Sequence, residues 1–132
     1  MINSISKEKL PKNCGYILKT EQLNMLLTEN NITTHTDLNY HYSKEPGCLL
    51  RAYYWFPNKN IPYYRIYIQS GSFLSADIKS ARKAMSDIVL PEFIMWLNHI
   101  LSLSENSTLF NVQPTFSAYF KNGEVNIKKD TE

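Results

Sequence analysis

Along residues 32–42 apolar and polar positions alternate with a period of two. Ile32, Thr34, Thr36, Leu38, Tyr40 and Tyr42 fall on one side, and Thr33, His35, Asp37, Asn39 and His41 on the other. Successive side chains of a strand point to opposite faces, so this pattern predicts a half-buried strand. Residues 48–56 and 62–69 are rich in β-branched and aromatic residues, and turn-forming segments at 43–47 and 57–61 set them apart. The three runs predict an antiparallel meander. With two five-residue loops, the even-numbered residues Leu38, Tyr40, Leu50, Ala52, Tyr54, Phe56, Tyr64, Ile66 and Ile68 share a core face. The odd-numbered set, including Arg51, Tyr53, Trp55, Tyr63, Arg65, Tyr67 and Gln69, then shares the other face. A four-residue second loop would instead pair Tyr54 with Tyr63 and mix the faces of the third strand, because a slip of one residue exchanges them. The first register segregates polarity better.

Helical periodicity brackets this block. Leu23, Leu26 and Leu27 form an apolar stripe after Thr20, which predicts a helix over 21–29 capped by Thr20 and ended by Asn30-Asn31. Ile78, Ala81, Met85 and Ile88 predict a second helix capped by Ser75, with Lys79, Arg82 and Lys83 toward solvent. Pro91 cannot continue that helix cleanly, but it suits the first position of a new one. Residues 92–103 carry Phe93, Ile94, Trp96, Leu97, Ile100, Leu101 and Leu103, which predicts a central buried helix lying across the sheet. Residues 115–120 return to strand character. Asn122-Gly123 then supplies a two-residue hairpin turn that places Phe116, Ala118, Phe120, Val125 and Ile127 on the buried face. The expected fold is α+β: a mostly antiparallel sheet of about five strands, in the order α-β-β-β-α-α-β-β, packed against two or three helices. Residues 1–13 read as a mobile leader, 14–129 as a single domain, and the charged tail from Lys128, above all 130–132, as frayed.

Composition narrows the function classes. The chain has 132 residues with 14 basic and 12 acidic side chains, a net charge of +2 that by itself points to neither nucleic acid nor an anionic membrane. Residues 1–12 lack the apolar centre of a signal peptide, and no run approaches the ~20 apolar residues of a membrane span. A cytoplasmic location is expected, with Cys14 and Cys48 as free thiols. Under that expectation the glycosylation patterns at Asn31 and Asn106 carry no chemistry.

Catalytic and cofactor motifs are absent from the sequence. His35 and His41 would sit about 20 Å apart on one strand, too far for a shared metal, and neither cysteine has a ligand at metal spacing. Four glycines leave no phosphate-binding loop, and Ser70-Gly71-Ser72 reads as a turn. No cofactor is expected. His35, Asp37 and Arg51 on one strand face could assemble a small acid/base site, which would define a hydrolase or ribonuclease. Glu92, Trp96 and His99 share one side of a helix and read as a packed edge.

The chain contains nine Tyr, six Phe and two Trp, and seven of these rings lie between Tyr53 and Tyr67. Aromatic rings and Arg on a flat face are the residue types that supply interface anchors, since rigid rings bury area at small entropic cost. Arg51, Tyr53, Trp55, Tyr63, Arg65 and Tyr67 are the candidate partner-binding residues. Their occupant would be another part of the chain, a partner protein or homodimer mate, or stacked bases of single-stranded RNA. A short α+β domain with such a face and no active site resembles, in general organisation, the small bacterial immunity proteins that neutralise a cognate toxin by binding it. The resemblance implies a non-catalytic inhibitor whose partner is a toxin domain. The slightly basic balance departs from the acidic balance of those directed against nucleases.

Overall fold

A computed structural model describes residues 14–15, 17–32, 36–55, 64–71, 73–74, 77–105 and 114–130. The strands are β1 (Cys14–Gly15), β2 (Thr36–Tyr42), β3 (Cys48–Trp55), β4 (Tyr64–Ser70), β5 (Phe73–Leu74), β6 (Thr115–Lys121) and β7 (Glu124–Asp130). The helices are α1 (Thr20–Glu29), α2 (Ile78–Ala84) and α3 (Leu90–Glu105), with a π turn, Met85–Val89, joining the last two. The class is α+β, as expected.

The main sheet runs β2-β4-β3-β6-β7, and β1 and β5 form a separate two-stranded ribbon. The expected meander is corrected here. β4 inserts between β2 and β3, pairing parallel to β2 and antiparallel to β3, so the sheet is mixed, with three of its four pairings antiparallel. Five residues between β2 and β3 span about 16 Å when extended, enough to cross either one or two strand spacings of about 4.8 Å. The Ser43 amide donates to the Ser70 carbonyl at 3.0 Å, holding the start of that connection against the end of β4.

Parity survives the change of order. Tyr53 pairs with Tyr67 and Ala52 with Ile68, a shift of two residues from the register of two five-residue loops, and a shift of two leaves every side chain on its face. Tyr40, Leu50, Ala52, Tyr54, Ile66 and Ile68 are accordingly buried in one core with Phe116 and Ala118. Buried residues of all three helices join the same core, including Leu23, Leu27, Ala81, Phe93, Trp96, Leu97 and Ile100. Phe93, Trp96 and Phe116 meet with ring centroids 5.6 to 6.0 Å apart, which seats α3 on β6. Burying such rings contributes about 1.5–3 kcal/mol each before strain and entropy are counted.

Three local expectations change. Lys19, not Thr20, holds the N-cap position of α1, and its amide donates to the Gln22 side-chain oxygen at 3.0 Å. Pro91 does not start a separate helix: α2, the π turn and α3 are continuous in sequence from Ile78 to Glu105. The Leu90 amide bonds to Met85, five residues back, so the wider turn shifts the hydrogen-bond register just where the proline ring lacks a donor. The extra residue also rotates the apolar stripe, burying Val89 and turning Ile88 out to 44 % exposure. Lys128 and Asp130, expected to fray, belong to β7. The leader 1–13, the Ser75 cap and residues 131–132 lie outside the described residues.

The Asn122-Gly123 hairpin forms as read, with Lys121 opposite Glu124 and positive φ at both turn residues. Gly71 has φ +84°, and a Cβ there would stand 2.7 Å from the Ile17 nitrogen, which binds the segment before α1 tightly to the end of β4.

Candidate protein-binding face of the sheet

Asn39 and His41 of β2, Arg51 and Tyr53 of β3, and Arg65, Tyr67 and Gln69 of β4, with their register partners on β6 and β7, make the sheet face opposite the helices. The pairings arrange them in rows. Asn39, Tyr67, Tyr53, Thr115 and Asp130 make one row; His41, Gln69, Arg51, Ser117 and Lys128 make the next. Tyr53 is 39 % exposed, and Arg51, Gln69, Thr115 and Lys128 are exposed as well. Tyr67 and Arg65 are half-buried. Among the described residues, the buried helix residues all join the core on the opposite side.

Tyr53 and Tyr67 stack with ring centroids 4.7 Å apart and planes 16° from parallel. Direct opposition on adjacent antiparallel strands brings the rings together, and such a pair holds both in fixed rotamers. Together with Arg51, Gln69, Ser117 and Tyr119 they line a depression of ≈ 560 Å³.

One end of this face carries a polar cluster that the sequence pattern did not single out. The Arg51 Nη1 donates to the Glu45 carboxylate at 2.9 Å. The Tyr119 hydroxyl also bonds Glu45; desolvation and that bond push its pKa up to about 12. A bulge between Cys48 and Leu50 sets Cys48 opposite Tyr119 and breaks the parity of β3 over its first two residues, so that odd-numbered Leu49 joins the core. Cys48 is therefore buried yet apart from the main core. Burial raises its thiol to about 11, opposed in part by a hydrogen bond with Ser43. Burial of this kind favours the neutral thiol over the thiolate. Glu45 had read only as a turn residue. Tyr119 was legible in principle, as the odd-numbered ring of a strand whose even residues are buried.

The register brings Arg51, Tyr53, Arg65 and Tyr67 onto adjacent strands, with Trp55 opposite Arg65 in the backbone pairing. Tyr63 lies outside the described residues. Of the proposed acid/base residues, the register sets Asp37 and Arg51 apart. His35 lies outside the described residues, and Asp37 stands opposite Arg65 in the backbone register. Arg51 is two strands over, about 10 Å, and four residues along, about 13 Å. On the helix side, Trp96 is buried, His99 is exposed and Glu92 pairs with Lys129 of β7. Among the described residues no group of three or more His, Cys, Asp or Glu side chains could hold a metal ion, and no helix is long and apolar enough to cross a membrane. A second depression, ≈ 520 Å³, opens between α1 and the α2 segment and is lined by Met25, Leu26, Arg82, Met85 and Leu90.

Fold and face together define a small α+β domain with a mixed five-stranded sheet and an aromatic, Arg-bearing surface. Comparison of the chain with protein-family models, with curated proteins and with solved structures finds no match.

Proposed function

We propose that this chain is a non-catalytic protein-binding module that covers a partner with the outer face of its sheet, in the manner of the immunity proteins that neutralise a toxin by direct binding. The observation that carries the reading is the pre-stacked Tyr53–Tyr67 pair at the centre of the face, Tyr53 exposed and Tyr67 half-buried, with Arg51 and Arg65 on the same strands. Rings already fixed against each other lose little freedom when a partner buries them, so their area converts efficiently into affinity. The surrounding Gln69, Ser117, Thr115 and Lys128 give the polar rim typical of a reversible interface. Trp55 extends the same row of candidates along β3, and Tyr63 remains one from its sequence position.

The test is capture of a partner with the tagged chain from the cell that makes it, followed by titration of that partner against a Tyr53→Ala/Tyr67→Ala variant. The expected loss is at least about 2 kcal/mol for the pair, close to thirtyfold in Kd, with thermal stability little changed. Equal affinity of a folded double variant sinks this site. Recovery of RNA with steeply salt-dependent binding would establish the nucleic-acid reading instead. A hydrolytic activity abolished by His35→Ala would establish the catalytic one.

A further inference from the structure

β7 is one of the two outer strands of the sheet, seven residues long, with Val125 and Ile127 half-buried and the rest exposed. A strand of this length at an edge presents a row of backbone donors and acceptors that a second strand can pair. Which residues present them follows from the hairpin. The Phe120 amide points to β3, donating to Gly47 at 2.9 Å, so Phe120 and Val125 are a pair without mutual hydrogen bonds. Alternation then aims the backbone groups of Val125, Ile127 and Lys129 at the edge, which no other strand among the described residues pairs.

We propose that β7 pairs antiparallel with β7 of a second copy of this chain, about a two-fold axis at Asn126, to form a continuous ten-stranded sheet. Side-chain complementarity selects this register. Glu124 faces Lys128 of the second copy, twice by symmetry, on the outer side, while Val125 faces Ile127 on the core side. Val125 and Ile127 exchange the backbone bonds, and the two Asn126 residues meet in the close, non-hydrogen-bonded position. An axis at Ile127 would set Glu124 against Asp130, and one at Lys128 would set lysine against lysine. An axis at Val125 leaves only three residues of each strand paired. Lysines commonly guard such edges. Here Lys129 is engaged by Glu92 of its own chain, and Lys128 finds its opposite charge in the second copy. An antiparallel pairing is isologous, so it closes as a dimer and does not propagate. This inference is independent of what occupies the outer face.

Sedimentation equilibrium of the full chain tests it. The chain is expected to be dimeric, and Lys128→Glu to weaken the dimer by about tenfold or more by opposing like charges. Glu124→Lys/Lys128→Glu is expected to restore it. Asn126→Cys should cross-link the dimer under mild oxidation, since the paired Cα atoms of that position stand about 4.5 Å apart, within disulfide reach, whereas Lys128→Cys should not. Circular dichroism checks that each variant is folded. A parent chain that stays monomeric at submillimolar concentration overturns the proposal. So does a dimer indifferent to Lys128→Glu, or equal cross-linking at the two positions.

Discussion

Tyr40 shows how one side chain joins separate parts of the chain. Its hydroxyl donates to the Leu18 carbonyl before α1 and accepts from the Ser70 hydroxyl at 2.9 Å, at the end of β4. Burial raises its pKa well above the ordinary phenol value. Cys48 is raised too, from 9.0 to about 11. Both groups are neutral when folded and ionise more readily when unfolded. Their stabilising contribution is complete below the unfolded pKa and is lost as pH rises toward the folded one. Thermal midpoints should therefore hold steady from neutral pH to about the ordinary thiol value and fall above it, and Cys48→Ala should remove the earliest part of that fall. An identical alkaline profile for this variant would contradict the burial assigned to the thiol. Gly71 gives a second residue-scale prediction. Alanine there meets both positive φ and backbone at 2.7 Å, so Gly71→Ala should lower unfolding free energy by about 2 kcal/mol or more. Gly123→Ala, with nothing near the added carbon, should cost only the φ penalty, about 1–2 kcal/mol; chemical denaturation compares the two.

At the scale of elements, what the sequence reveals depends on whether the deciding interaction is local. Period-two alternation placed Tyr40, Tyr54, Ile66 and Ile68 inside and Tyr53 outside, and Asn122-Gly123 defined its hairpin, because both signals lie within a few residues. The parallel pairing of β2 with β4 was not legible. A five-residue connection reaches the neighbouring strand or the next one equally well, and only tertiary packing decides. The Glu45–Arg51–Tyr119 cluster was hidden for the same reason, since it needs a turn, β3 and β6 together. The π turn escaped because Ile78, Ala81, Met85 and Ile88 fit an α-helical stripe; the added residue moves Val89 inward instead. Seating of α3 on β6 through Phe116 leads to an element-scale prediction. Phe116→Ala removes contacts with both Phe93 and Trp96 and should destabilise by about 3–5 kcal/mol. Glu92→Ala breaks only an exposed ion pair with Lys129 and should cost less than about 1 kcal/mol by the same denaturation measurement.

For the whole molecule, the two sides of the sheet divide the work. One side and the helices make the core, while the other presents stacked tyrosines and arginine in the row pattern set by the registers. The helix side has exposed apolar groups of its own, Met25 at 62 % and Met95 at 63 %, and these serve as an internal reference. Oxidative footprinting of the free chain and of its complex with the captured partner therefore compares the two sides in one sample. The outer-face account predicts that Tyr53 and Tyr67 become protected on binding while Met25 and Met95 keep their reactivity. Protection of the two methionines with the two tyrosines unchanged would place the partner on the helices and contradict it.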